Sequence, residues 1–168
     1  VDTLSHRFAG ADDVAPLHAL VESGYRGDSA RRGWSHEADL LDDTRTTAAE
    51  LAATIADPAT RVVLLHQGDD LIGTVTVAGR GDARAYMGML CVDPARQAHG
   101  LGRALIALAE QIARDEFGAR VIEMTVIDQR RELIAYYQRR GYRLTGETRP
   151  FPPAGDRPMV LVVLDKPL

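Results

Sequence analysis

The chain has 168 residues, 45% hydrophobic and 26% charged, with a net charge of −4. That balance suits an ordinary globular protein able to bury a core without staples, so residues 1–168 are expected to form one domain. The acidic balance counts against a general nucleic-acid binder, the lone Cys91 excludes an intrachain disulfide, and no apolar run or leader pattern marks a membrane span or an export signal. The expected setting is the cytoplasm, with neither nucleic acid nor membrane as partner.

Residues 3–9 alternate Leu4, His6 and Phe8 against polar neighbours, which predicts a strand, and Asp12 or Asp13 then caps a helix carrying Val14, Leu17, Leu20 and Val21. Residues 25–46 are polar and weakly periodic, a long loop. Thr47 and Glu50 have capping-box spacing and open a second helix through Leu51 and Ile55 to about Asp57, with Pro58 at its end. Residues 61–67 and 71–78 are β-branched runs separated by Gly68, Asp69 and Asp70, which is hairpin chemistry. A turn at residues 79–82 leads to a third run over 84–92, completing an antiparallel meander.

From Gly100 the period becomes helical, with Leu101, Ala104, Leu105, Leu108, Ala109 and Ile112 on one face, and Gly118 stops it. Residues 121–127 form an apolar strand. Asp128 caps a further helix bearing Leu133, Ile134 and Tyr137 that stops at Gly141, and two strands follow over about 142–147 and 159–164. The fold class is therefore α/β in the mixed sense. We expect a central, mainly antiparallel sheet of about seven strands with helices on both faces and one parallel step beside the long helix.

That step is where chemistry is expected. Between the strand ending at Val92 and the helix after Gly100, Pro94 removes a ladder donor, and Gly100 and Gly102 let the backbone approach a ligand closely. The first amides of the helix, with its dipole behind them, form an anion site suited to a pyrophosphate, to which Arg96 and Arg103 add charge. Two nucleotide motifs fail here. A Rossmann fingerprint needs Gly at Leu105, and a P-loop needs Gly-Lys-Ser/Thr where Gly102, Arg103 and Ala104 stand.

The segment Gln97-x-x-Gly100-x-Gly102, preceded by Val92-Asp93-Pro94, resembles the signature of the GNAT superfamily of acyl-CoA-dependent N-acetyltransferases, and the element order is similar from first strand to last. The resemblance implies acetyl-CoA as acyl donor and no metal. By it, amides of Gln97, Ala98, His99, Gly100, Leu101, Gly102 and Arg103 hold the coenzyme pyrophosphate, and main-chain groups of Leu90 and Val92 bind pantetheine and the acetyl carbonyl. Ala98 departs from the family's usual glycine. The segment from Arg130 to Tyr142 resembles the family's second marker, which makes Tyr137 the acid for the departing thiolate. Arg130 stands where the family often has Asn and is expected to reach a coenzyme phosphate or to remain a solvated charge.

The attacking amine must be neutral, so a base is needed. Glu123 lies within an apolar strand, which makes it the base candidate or else an arginine's structural partner. Tyr25, Trp34 and Glu37 border or occupy the polar loop and are expected to clamp a small-molecule amine by stacking and charge. Phe151, in the stiff stretch 149–153, is expected to supply the opposite wall, and that stretch also suits a plain connector or a homodimer contact. Cys91 has no histidine beside it in sequence and reads as core, not nucleophile. The expected reaction is direct attack of the amine on acetyl-CoA, acting on a small molecule ahead of a protein N-terminus or lysine; a catalytically silent acyl-CoA-binding module is the reading from another class.

Overall fold

The computed structural model describes residues 3–25, 46–96, 100–150 and 160–168. Its elements run β1 (Leu4–Phe8), α1 (Val14–Tyr25), α2 (Ala48–Ala56), β2 (Thr60–Gln67), β3 (Asp70–Gly81), β4 (Arg84–Val92), α3 (Leu101–Phe117), β5 (Val121–Ile127), α4 (Arg131–Arg139), β6 (Arg143–Pro150) and β7 (Val160–Pro167), with short 3₁₀ turns before α1 and α3. The strands make one seven-stranded sheet in the order β1-β2-β3-β4-β5-β7-β6. Every neighbouring pair is antiparallel except β4 and β5.

The two sheet faces are covered differently. Leu17 and Val21 of α1 and Leu51 of α2 pack on Val62 and Leu64. On the other face Leu105, Ala109 and Ile112 of α3 and Tyr137 of α4 pack on Val63, Ile72, Val75, Ala85, Ile122 and Met124. The alternation along β2, with Val62 and Leu64 one way and Val63 and Leu65 the other, is the period-two pattern of a strand buried on both sides.

Local chemistry explains most boundaries. Thr47 Oγ1 accepts from Glu50 N (3.1 Å) and starts α2 as the spacing predicts, while Glu50 reaches back to Thr46 Oγ1 (3.0 Å). Asp13 accepts from Gly10 N (2.7 Å) and pairs with Arg7 (2.7 Å), closing the turn that feeds α1.

Two expectations shift. The β3–β4 turn is not at residues 79–82: Gly79 pairs with Ala85 and Gly81 with Arg84, and Asp82 and Ala83 turn the chain with φ of 52° and 56°. Gly79 serves packing instead, since a Cβ there would meet Phe117 Cδ1 at 2.8 Å. Nor does Asp128 cap α4. Arg130 is the N-cap residue, because Arg130 N donates to Ile127 O (2.9 Å) and Asp128 N to Val160 O (2.9 Å), which inserts a turn before the helix. The described helices include none long and apolar enough to cross a membrane.

Candidate active site

The parallel pairing of β4 with β5 is short. It joins Arg84, Ala85 and Tyr86 to Val121, Ile122 and Glu123, after which β5 continues along β7 as far as Ile127 while β4 continues along β3. The strands part because β4 bulges: Gly88 faces Thr76 and Cys91 faces Thr74, so Met89 and Leu90 together oppose Val75, and Met89 takes a φ of 50°. A left-handed methionine is a strained choice, and here it sits at the mouth of a gap.

That gap is a wedge of about 360 Å³, lined on the β4 side by Tyr86 to Leu90, on the β5 side by Met124 to Ile127, and closed by Arg130, Leu133 and Tyr137. Thr54 of α2 also lines it, so the wedge passes from the α3/α4 face through the sheet toward the α1/α2 face. Gly88 keeps it open: a Cβ there would lie 3.1 Å from both Thr76 Oγ1 and Tyr86 Cε1. Tyr86 Oη and Thr125 Oγ1 share a hydrogen bond across it (2.7 Å).

Tyr137 is packed edge-on against Tyr136 and Tyr142, with ring centroids 5.4 and 5.9 Å away. Its hydroxyl makes no hydrogen bond among the described residues. Burial pushes the phenol well above its ordinary range; neighbouring Tyr136 adds to this, and the Arg130 charge opposes it. The group is therefore a proton holder at every ordinary pH. Arg130, 5% exposed, donates from Nε to Glu132 Oε1 (3.0 Å), while Nη1 and Nη2 are buried without a hydrogen-bond partner.

At the start of α3, Gly100 is the N-cap in the left-handed region (φ 76°), and no atom lies within 4 Å of where its Cβ would stand. Ala104 N donates to Gly100 O (3.1 Å), and the amides of Leu101, Gly102 and Arg103 precede that first bond. A Cβ on Gly102 would meet Tyr136 Oη at 3.1 Å, so α4 closes one side of this helix start. Arg103 is exposed. Arg96 is turned away from the role expected for it: its guanidinium bonds Gln67 Oε1 and pairs with Asp70 (3.1 Å) and Asp93 (3.8 Å).

Glu123 does not line the wedge. Its two oxygens face Arg149 Nη2 (3.2 Å) and Arg84 Nη2 (3.4 Å), in a chain of ion pairs that continues through Asp165 to Arg143. Leu90 lines the wedge, and Val92 lies in the core beside it. Cys91 is buried, with Sγ 3.6 Å from Leu20 O, and a Cβ on Gly24 would lie 2.0 Å from that sulfur. Gln97, Ala98, His99, Trp34, Glu37, Phe151 and the Tyr25 side chain lie outside the described residues. Sequence reasoning missed Tyr86, Met89, Thr125 and Thr54. Only Gly88, a glycine inside a strand, advertised the bulge beside them.

A search of curated proteins gives no sequence match. Among solved structures, the chain is similar to the ribosomal-protein-S18-alanine N-acetyltransferase from Escherichia coli, with a TM-score of 0.74 at 17% identity over 98% of this chain and 94% of that one. It is similar also to a spermidine N-acetyltransferase chimera from Vibrio cholerae and hSSAT, with a TM-score of 0.73 at 18% identity over 98% and 95%. A third is the paia N-acetyltransferase from Thermoplasma acidophilum in complex with coenzyme A, with a TM-score of 0.76 at 13% identity over 99% of both chains. These likenesses establish the fold. The family model for the acetyltransferase (GNAT) family matches residues 24–142, a stretch that contains the bulged strand, both helix starts and the lining of the wedge except Leu161. The chain therefore belongs to the GNAT acetyltransferase family and is an acyltransferase.

Proposed function

We propose that the protein transfers an acetyl group from acetyl-CoA to a primary amine of a small molecule by direct attack. The observation that carries this reading is the wedge between β4 and β5, which reaches Tyr137 and opens through the sheet toward the opposite face. A volume of about 360 Å³ suits the thioester end of the donor with a small acceptor against it. In this reading amides of residues 97–103 hold the pyrophosphate at the start of α3, where the helix dipole favours an anion. Main-chain groups of Leu90 and Val92 guide the pantetheine, and an amide near Leu90 steadies the oxyanion.

The amine nitrogen bonds to the acetyl carbonyl carbon, and the carbon–sulfur bond breaks. The coenzyme thiolate takes a proton from Tyr137, which is restored by the proton the amine releases to solvent or a base. A phenol raised by burial is a weak acid toward a solvated thiolate, whose ordinary conjugate pKa is about 8.5. A thiolate in the same dry wedge is raised for the same reason, so the two remain matched and the short distance does the rest. Glu123 enters as an ion-pair partner, because Arg84 and Arg149 already occupy both its oxygens. The acceptor-side roles of Tyr25, Trp34, Glu37 and Phe151, a cytoplasmic setting and a homodimer belong to the same proposal.

The test is thiol release from acetyl-CoA against a panel of amines, amino acids and peptides. Release that depends on a small amine supports the proposal. Release only with peptides moves the acceptor to protein, and tight coenzyme binding with no release against any acceptor refutes turnover.

A further inference from the structure

The acetyl-transfer reading leaves Arg130 without a task. Of the described side chains lining the wedge it is the only charged one, and it is 5% exposed. Glu132 engages Nε alone, from an exposed position, and both terminal nitrogens are buried and unbonded. A guanidinium stays charged at every pH, so two dry, unpaired donors are costly to the resting protein. Arg84 and Arg149 look different: each spends Nη2 on a carboxylate.

The two terminal nitrogens of a guanidinium present parallel donors that match the two oxygens of a carboxylate. A pantetheine amide offers one neutral oxygen and would leave the charge uncompensated. The coenzyme phosphates belong at the start of α3, and none of Gly100 to Arg103 lines the wedge. Arg130 and Tyr137 line the same wedge, so a substrate group that reaches the guanidinium lies in the cavity that the acetyl-transfer reading assigns to the reacting end of the donor. A wedge whose one charge is a buried cation also repels a polycationic acceptor.

We propose that Arg130 is a specificity residue that takes a carboxylate carried by one of the two substrates: at the far end of a dicarboxylic acyl group on coenzyme A, or on the acceptor, as in an amino acid. This rests on the acyl-transfer reading of the wedge. The carboxylate makes and breaks no bond; the acyl group moves from sulfur to nitrogen as before.

The experiment compares two matched pairs on wild type, Arg130→Met and Arg130→Lys. One pair is succinyl- and acetyl-coenzyme A with a fixed amine. The other is an amino acid and its carboxamide with a fixed acyl donor. In wild type, kcat/KM should favour the carboxylated member of one pair by at least about 30-fold, Arg130→Met should bring that ratio to within about threefold of one, and Arg130→Lys should fall between. A collapse in the first pair places the carboxylate on the acyl group, and a collapse in the second places it on the acceptor.

A wild type that transfers acetyl groups with no preference in either pair overturns the inference and spares the acetyltransferase reading. So does an Arg130→Met variant that loses affinity for every coenzyme ester equally, since the arginine would then contact the coenzyme itself. Calorimetry provides the separate check: a wild type that binds no coenzyme ester refutes the acyl-transfer reading first. Unliganded Arg130→Met should melt at or above the wild-type temperature, because it removes two buried donors that have no partner, and a large fall would make the arginine structural and overturn the proposal.

Discussion

Two buried polar groupings lie on either side of Tyr137 and are built in opposite ways. On one side Glu110 of α3 accepts from Tyr142 Oη (3.0 Å) and from Lys166 Nζ (3.0 and 3.1 Å), so acid, phenol and amine satisfy one another. On the other side Arg130 and Tyr137 line the wedge, where two Arg130 nitrogens are buried without a hydrogen-bond partner and the Tyr137 hydroxyl has none among the described residues. Both phenols are raised, Tyr137 chiefly by burial, Tyr142 by burial together with the Glu110 charge. Buried unbonded atoms also occur at Asp128 Oδ1 and Arg140 Nε, but only at Arg130 are both terminal nitrogens of a side chain that lines the wedge left so among the described residues. The protein closes its polar contacts where α3, β7 and the link from α4 to β6 must hold together, and leaves the Arg130 nitrogens unbonded where the strands part.

The strongest way to break that contrast is Glu110→Ala. It leaves Lys166 and Tyr142 facing a hole and should cost about 2–3 kcal/mol of stability by denaturant unfolding, discounted because Lys166 is partly exposed. An unchanged midpoint would mean that the closed grouping holds nothing.

Tyr137→Phe should do the reverse. Its hydroxyl gives up no protein hydrogen bond, so stability should move by less than about 0.5 kcal/mol, while kcat in thiol release falls about 100-fold. No loss of turnover would remove the proton-donor role. The pH profile sharpens this: because the phenol is raised, the rate should show no falling alkaline limb from Tyr137 below about pH 10, its ordinary value.

Gly100→Val comes next. The surrounding space is empty, so the penalty is conformational, about 2 kcal/mol for a β-branched residue in the left-handed region, and coenzyme affinity should weaken about 10- to 30-fold by calorimetry. Unchanged affinity would mean that the amides after Gly100 hold no phosphate. Tyr142→Phe should cost about 1 kcal/mol of stability and leave turnover intact.

The smallest effect belongs to an exposed pair used as a baseline. Arg7 holds the Asp13 carboxyl down at about 2. A depressed carboxylate contributes stability above its unfolded value of about 3.9, and that contribution is lost as pH falls toward 2, so Asp13→Asn should flatten the acid limb of stability between about pH 4 and 2 while changing little at neutral pH. Equal acid limbs in both proteins would mean that the pair contributes nothing.

Part of this was legible in the sequence because it is local. Gly100, Gly118, Thr47 and the alternation in β2 each announce a boundary through the conformation or spacing of a few residues, and the structure puts those boundaries where the signals stand. The wedge was not legible. Its width depends on β4 leaving β5 after Tyr86 while β5 stays paired with β7, a strand some 40 residues further on, and on one extra residue at Met89 and Leu90, neither of which leaves a period in the chain. Glu123 looked expensive in an apolar strand because its two arginines come from β4 and β6, remote in sequence. Arg130 read as a coenzyme-phosphate contact or a solvated first-turn charge, because nothing local shows that the turn after Ile127 folds it inward.

The close approach of Gly24 to Cys91 has a practical outcome. A thiol sealed under a helix backbone meets an alkylating reagent only when that helix lifts, and this chain has no other sulfhydryl to confuse the signal. Under conditions where closing outpaces the chemistry, the labelling rate of Cys91 becomes a direct gauge of the fraction of time α1 spends off the sheet. Slower labelling on adding coenzyme or an amine would report, without any turnover, that the ligand holds α1 down on the sheet.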